Sequence, residues 1–138
     1  MRCLVAVGSA TTRALVSNAL RRAGALEIVA HGSLDEALAA CGTPFDLAVV
    51  DRDLAAGPGW DWLGALRDRA CAAGHLLVIG TRVSRDEAES LRGIGAGAFL
   101  LKPVDPEILR ERAQALLGGE SSGEDEDGDA AEQFRKAA

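Results

Sequence analysis

Phe45-Asp46-Leu47-Ala48-Val49-Val50-Asp51 is the stretch that decides the fold. Four apolar residues, Leu47 to Val50, run straight into an acid. A short unbroken apolar run that ends in two valines reads as a strand buried on both faces, the kind found in a parallel sheet covered by helices. Asp51 then stands at the C-terminal end of that strand. In an open parallel sheet, ligands and chemistry collect at that end.

Working outward, strand and helix signals alternate on both sides of this run. Leu4–Val7 reads as the first strand. A helix follows from about Thr11 to Ala23, with Leu15, Val16, Ala19, Leu20 and Ala23 on one face, and Gly24 stops it. Leu26–Ala30 is the second strand. Ser33-x-x-Glu36 is a capping-box pattern that opens a short helix to Cys41, broken by Gly42-Thr43-Pro44. After Asp51 comes a loop, then a helix from about Trp60 to Ala72 in which both tryptophans pack beside the sheet. Leu76–Gly80 is the fourth strand and ends at Thr81. Ser84-x-x-Glu87 is a second capping box, opening a helix to Ile94 with a thin apolar face of Ala88, Leu91 and Ile94. Ala98–Leu101 is the fifth strand, followed by Lys102-Pro103. Asp105-Pro106 pairs an N-cap with a proline at the first helical position, and that helix runs to Leu117. Such alternation with short connections means parallel βαβ units. The expected fold is a three-layer α/β sandwich, (βα)5, doubly wound around a five-stranded parallel sheet.

Composition narrows the function. The 138 residues suffice for one domain with a real core. No apolar run is long enough for a signal peptide or a membrane span. The three cysteines, Cys3, Cys41 and Cys71, are scattered, which predicts reduced thiols in a cytoplasmic protein. His31 and His75 are isolated and fit turns or strand edges better than a metal site. The net charge of −6 is concentrated in residues 119–138, a Ser, Gly and acid-rich tail. That tail cannot bury enough apolar surface to fold alone, so disorder is expected there. A nearly neutral body with an acidic tail argues against nucleic-acid binding.

Three polar residues stand at strand ends: Asp51, Thr81 and Lys102. If the third, fourth and fifth strands are neighbours, these side chains converge on one rim. Lys102 is the only lysine of the body, in a chain that otherwise uses arginine. With these residues in place, the chain resembles the receiver domains of bacterial response regulators, the CheY-like family, over residues 1–118. Gly95-Ala96-Gly97-Ala98-Phe99-Leu100-Leu101-Lys102-Pro103 closely follows the family's Gly-Ala-x-x-aromatic-x-x-Lys-Pro. The resemblance implies strand order 2-1-3-4-5, with Asp51 as phosphoacceptor and Thr81 as switch hydroxyl. It also implies Phe99 as aromatic switch and Lys102 as the phosphate-contacting lysine, with a cis Lys102-Pro103 bond.

The departures from the family bear on the chemistry. The family's two acids after strand one, which hold magnesium, are here Gly8 and Ser9. Asp51 and Lys102 already sum to zero charge, so little electrostatic pull on a metal remains. No cofactor is expected, and magnesium only weakly. Asp53 offers a further carboxylate, although that position ordinarily presents its backbone carbonyl. Arg82 replaces the usual small residue after the switch hydroxyl and is a candidate gate over the site. With the acids absent, Lys102 is expected to form an ion pair with Asp51 as its obvious anionic partner.

Three functions compete. The first is an atypical receiver in a two-component phosphorelay, with Asp51 as acceptor and weak or absent magnesium-dependent phosphorylation. The second is a degenerate receiver that serves as a protein–protein interaction module without phosphorylation. The third, a nucleotide-binding enzyme, finds only Gly57-x-Gly59 and Gly95-x-Gly97, and the latter precedes a strand rather than a helix. The favoured reading is the first: not an enzyme, with a sensor histidine kinase or other signalling protein as partner, no nucleic acid or membrane, and a monomer or weak homodimer. Output would come from a bound partner, or from further domains if the chain is a piece of a longer protein.

Overall fold

A computed structural model describes residues 2–39, 45–54, 75–81 and 84–117. The expected helix with Trp60 and Trp62, the candidate gate Arg82, Cys41, Cys71 and the acidic tail lie outside the described residues. The elements run β1 (Arg2–Ala6), α1 (Ala10–Arg22), β2 (Glu27–His31), α2 (Leu34–Ala39), β3 (Leu47–Asp51), a 3-10 turn (Arg52–Leu54), β4 (His75–Gly80), α3 (Arg85–Ile94), β5 (Ala96–Leu101) and α4 (Pro106–Leu117). The sheet is parallel, in the order β2-β1-β3-β4-β5. This is the doubly wound α/β architecture expected from the alternation of elements.

β3 sits at the centre, and all five of its residues are buried. Side-chain alternation divides the interior in two. Leu4, Ala48, Val50, Val78 and Phe99 pack with Ala37 of α2 and with Ala88 and Leu91 of α3. Val5, Val49, Ile79 and Leu100 pack with Val16 and Leu20 of α1 and with Leu109 and Ala113 of α4. The edge strand β2 is only half-covered, as fits a strand paired on one side.

The helix boundaries follow their capping chemistry. In α3 the capping box is complete: Ser84 Oγ accepts from Glu87 N–H, and Glu87 Oε1 accepts from Ser84 N–H. Gly95 ends the helix at φ 108°, a left-handed conformation suited to glycine. At α2 only half the box forms. Glu36 N–H donates to Ser33 Oγ, but the Ser33 hydroxyl turns to Glu36 Oε1. Asp105 Oδ1 accepts from Glu107 N–H at 2.8 Å, opening α4 behind Pro106.

Most boundaries fall within a residue of the sequence expectation, and the two strand starts that differ by two residues do so for physical reasons. β1 begins at Arg2 rather than Leu4. Arg2 Nε donates to Glu27 at 2.6 Å, its backbone N–H to Asp46 at 2.7 Å, and its guanidinium lies 4.2 Å above the Phe45 ring. A polar residue thereby fastens the entry of three strands. β5 begins at Ala96 rather than Ala98, and a register irregularity at Leu76/Leu77 pairs Ala96 with Leu76 and Ala98 with Leu77, leaving Gly97 as the extra residue between them.

Candidate functional site

Parallel pairing of β3, β4 and β5 brings their C-terminal ends to one rim. Lys102 N–H donates to Gly80 O at 2.8 Å, extending the β4–β5 pairing past the end of β5. That places the Lys102 side chain beside Asp51. Lys102 Nζ donates to Asp51 Oδ2 at 2.6 Å, so the expected ion pair is present. The Asp51 side chain is only 6% exposed, whereas that of Lys102 is 25% exposed. The other carboxylate oxygen, Oδ1, accepts from Asp53 N–H at 2.9 Å. Both oxygens of Asp51 are therefore engaged. The Lys102-Pro103 peptide bond is cis.

One expectation needs correction. Asp51 is not the only carboxylate facing Lys102, because Asp53 Oδ2 lies 3.5 Å from the same ammonium. The 3-10 turn after Asp51 folds the chain back far enough for its second residue to reach the lysine. The Lys102 ammonium feels opposing effects. Partial burial disfavours its charge, but hydrogen bonding to Asp51 and the charges of Asp51 and Asp53 outweigh this and raise its pKa above the ordinary 10.5. The stabilisation this ion pair contributes is whole below about pH 10.5, the unfolded value, and is lost as pH rises through the higher folded value. In melts taken between about pH 9 and about pH 12, the wild type should therefore lose stability more steeply than Lys102→Met. Cys3, whose buried thiol is pushed up to about 11, titrates in both proteins and cancels from the comparison. Parallel alkaline limbs in the two proteins would contradict the pairing.

The other residues picked out from the sequence take different places. Thr81 follows Gly80 on the same rim and is exposed. Phe99 is fully buried in the core beneath α3. Gly80 is where that ring meets the site, since a Cβ built there would lie 3.1 Å from both Phe99 Cζ and Arg52 Cδ. Ser9 is the N-cap of α1, its Oγ accepting from Thr12 N–H at 3.3 Å. The Gly8 carbonyl accepts from Arg13.

Arg13 and Arg52 were not picked out from the sequence, and Glu87 was picked out only as the acid of a capping box. Arg13 reaches back from the first turn of α1 to Val7 O at 2.8 Å and Gly8 O at 3.2 Å, its guanidinium passing close over Gly32. Arg52 lies between Asp53, with Nε 3.7 Å from Oδ1, and Glu87, with NH1 3.6 Å from Oε2. Its buried NH1 has no hydrogen-bond acceptor among the described residues.

Magnesium does not fit this donor set. It requires hard oxygen ligands near octahedral geometry, with carboxylates among them. Gly8 brings no carboxylate, the Ser9 hydroxyl caps a helix, and an ammonium sits on Asp51. Among the described residues no three His, Cys, Asp or Glu side chains gather as a metal site would need.

No family model and no curated protein matches the chain. Solved structures do. The chemotaxis response regulator CheY4 of Vibrio cholerae is 27% identical with a TM-score of 0.70, covering 83% of this chain and 97% of its own. A CheY-like response regulator receiver domain protein from Methanospirillum hungatei JF-1 is 22% identical with a TM-score of 0.75, covering 88% and 98% respectively. The receiver domain of the Francisella response regulator 1452 is 18% identical with a TM-score of 0.72, over 86% and 98%.

Proposed function

We propose, from the premise that the chain is a CheY-like receiver domain, that it is an atypical receiver in two-component phosphorelay signalling, with Asp51 as its phosphoacceptor and little help from magnesium. The observation that supports this most directly is the Asp51–Lys102 pair at the end of the central strand. A carboxylate in that place can attack the phosphorus of a phosphohistidine. The new O–P bond makes an acyl phosphate, and the P–N bond breaks with its electron pair returning to the imidazole. Lys102 is placed to meet the charge gathering on the phosphoryl oxygens, which is the main work in such transfers.

The same geometry makes the step slow. Oδ2 of Asp51 must give up a 2.6 Å charge-assisted hydrogen bond before it attacks, and among the described residues no cation other than Lys102 contacts Asp51. The chain is therefore a signalling partner rather than an enzyme, working in the cytoplasm opposite a histidine kinase or another signalling protein. No helix among the described residues is long and apolar enough to cross a membrane.

The test is the mass of the full chain after incubation with acetyl phosphate, with and without magnesium. The expected result is slow, incomplete gain of one phosphoryl group, unaffected by magnesium and absent in Asp51→Asn. Rapid, complete, magnesium-dependent modification at Asp51 would contradict the atypical chemistry. No gain under any donor would leave the binding-module reading, to which the engagement of both Asp51 oxygens already lends support.

A further inference from the structure

Five charges of alternating sign lead from Asp51 to the start of α3. Asp51 Oδ2 is 2.6 Å from Lys102 Nζ, and Lys102 Nζ is 3.5 Å from Asp53 Oδ2. Asp53 Oδ1 is 3.7 Å from Arg52 Nε, and Arg52 NH1 is 3.6 Å from Glu87 Oε2. Glu87 ends the series inside the capping box, where its other oxygen accepts from Ser84 N–H. The Arg52 stem is held on the way, packed against Gly80 beside the Phe99 ring. We infer that this series is a charge relay through which Arg52, as a positioning residue, couples the charge on Asp51 to the N-terminal turn of α3.

The physical basis is competition for shared cations. Lys102 divides itself between Asp51 and Asp53, and Arg52 divides itself between Asp53 and Glu87. When Asp51 loses its charge, Lys102 moves toward Asp53. Asp53 then holds Arg52 less strongly. The buried NH1 of Arg52 has no acceptor among the described residues, and Glu87 Oε2 is 3.6 Å away, just beyond hydrogen-bond reach. Releasing Arg52 from Asp53 lets NH1 close on Glu87 and tighten the cap. The coupling needs the two-armed guanidinium, since one nitrogen serves each carboxylate. It also draws on Gly80, because a methyl group there would press at 3.1 Å on both the Arg52 stem and the Phe99 ring and oblige one of them to shift.

This inference rests on Asp51 being the group whose charge changes, but its test needs no phosphoryl chemistry. Failure of phosphorylation would therefore leave it standing, and the reverse also holds. The readout is the amide exchange rate of Ala88, whose N–H makes a helical bond of the first turn to Ser84 O at 2.9 Å. It is followed by NMR in the full chain, in the wild type, Asp51→Asn, Arg52→Met, Glu87→Gln and the two double variants with Asp51→Asn. Arg52→Met keeps the stem but removes the charge. Glu87→Gln keeps a cap acceptor and removes the anion, at a half-exposed position that tolerates change. Asp51→Asn is expected to slow Ala88 exchange about threefold or more in the wild type, and by under about 1.5-fold in either relay-broken background. If Arg52→Met fails to fold, the Glu87→Gln pair decides alone. An equal response in all backgrounds, or none in the wild type, would overturn the relay.

Discussion

Lys102→Met is expected to lower the unfolding free energy by about 3 kcal/mol, and Asp51→Asn by about 1 kcal/mol or less. The asymmetry follows from burial. Removing Lys102 strands a carboxylate that is 6% exposed, with the Asp53 amide as its remaining donor. A stranded buried anion ordinarily costs about 3–5 kcal/mol, and the loss is held to the lower end because the Asp53 amide still donates to Oδ1. Removing the Asp51 charge strands nothing comparable. Lys102 is 25% exposed and still has Asp53 at 3.5 Å. The sequence points to Asp51 as the lysine's evident partner, and it is the second carboxylate, Asp53, that softens the loss of the first. Chemical denaturation of the wild type, both single variants and the double variant gives the coupling energy, expected at about 1–2 kcal/mol. A value near zero, or Asp51→Asn as the costlier variant, would contradict the geometry.

The second large effect concerns metal. The wild type is expected to bind magnesium with a dissociation constant above about 10 mM, and Gly8→Asp with Ser9→Asp to tighten this about tenfold or more. The structure makes room for the change. A Cβ at Gly8 would have Leu54 Cδ1 at 3.7 Å and Gly32 O at 3.9 Å, both ordinary contacts. Its backbone is outside the left-handed region, so a side chain brings no strain. At position 9 aspartate caps a helix as well as serine does, and α1 should survive intact. Amide shifts at residues 8, 51 and 102 during a magnesium titration provide the measurement. Saturation of the wild type at low millimolar concentration, or no gain in the double variant, would count against the account of the donor set.

The fold was legible because each strand carries its own signal and each helix its own start. Phe45–Asp51, the Ser84 capping box and Asp105-Pro106 could each be placed from local chemistry, and the structure puts them where expected. β5 was the weaker case, since Ala96 and Gly97 have no strand preference: Ala96 pairs with Leu76 only because Gly97 is skipped at the irregularity that follows. In the site, Asp51 and Lys102 were legible as polar residues at strand ends. Arg52 and Glu87 were not, because their pairing depends on the sense of a 3-10 turn and on where α3 begins relative to it, and neither leaves a pattern in sequence. Arg13 is similar. One turn inside α1 it looks like a solvated arginine, and only the folded chain shows it closing over the carbonyls that end β1.

The division of the interior by the sheet has a consequence for how this domain can change. The two apolar clusters share no side chain. Residues far apart with no common partner combine their effects additively, whereas neighbours do not. The far end of the relay route, where Arg52 meets Glu87 of α3 and packs against Gly80 beside Phe99, lies against the first of these clusters. Substitutions such as Val16→Ala or Leu109→Ala on the other side are thus free to tune overall stability without retuning the route. Mutational drift can remodel the α1–α4 flank, even to fit a new partner, while the rim and its helix keep their shared behaviour. The sheet acts as an evolutionary firebreak between the flank that carries the relay's far end and the flank that is free to be remodelled.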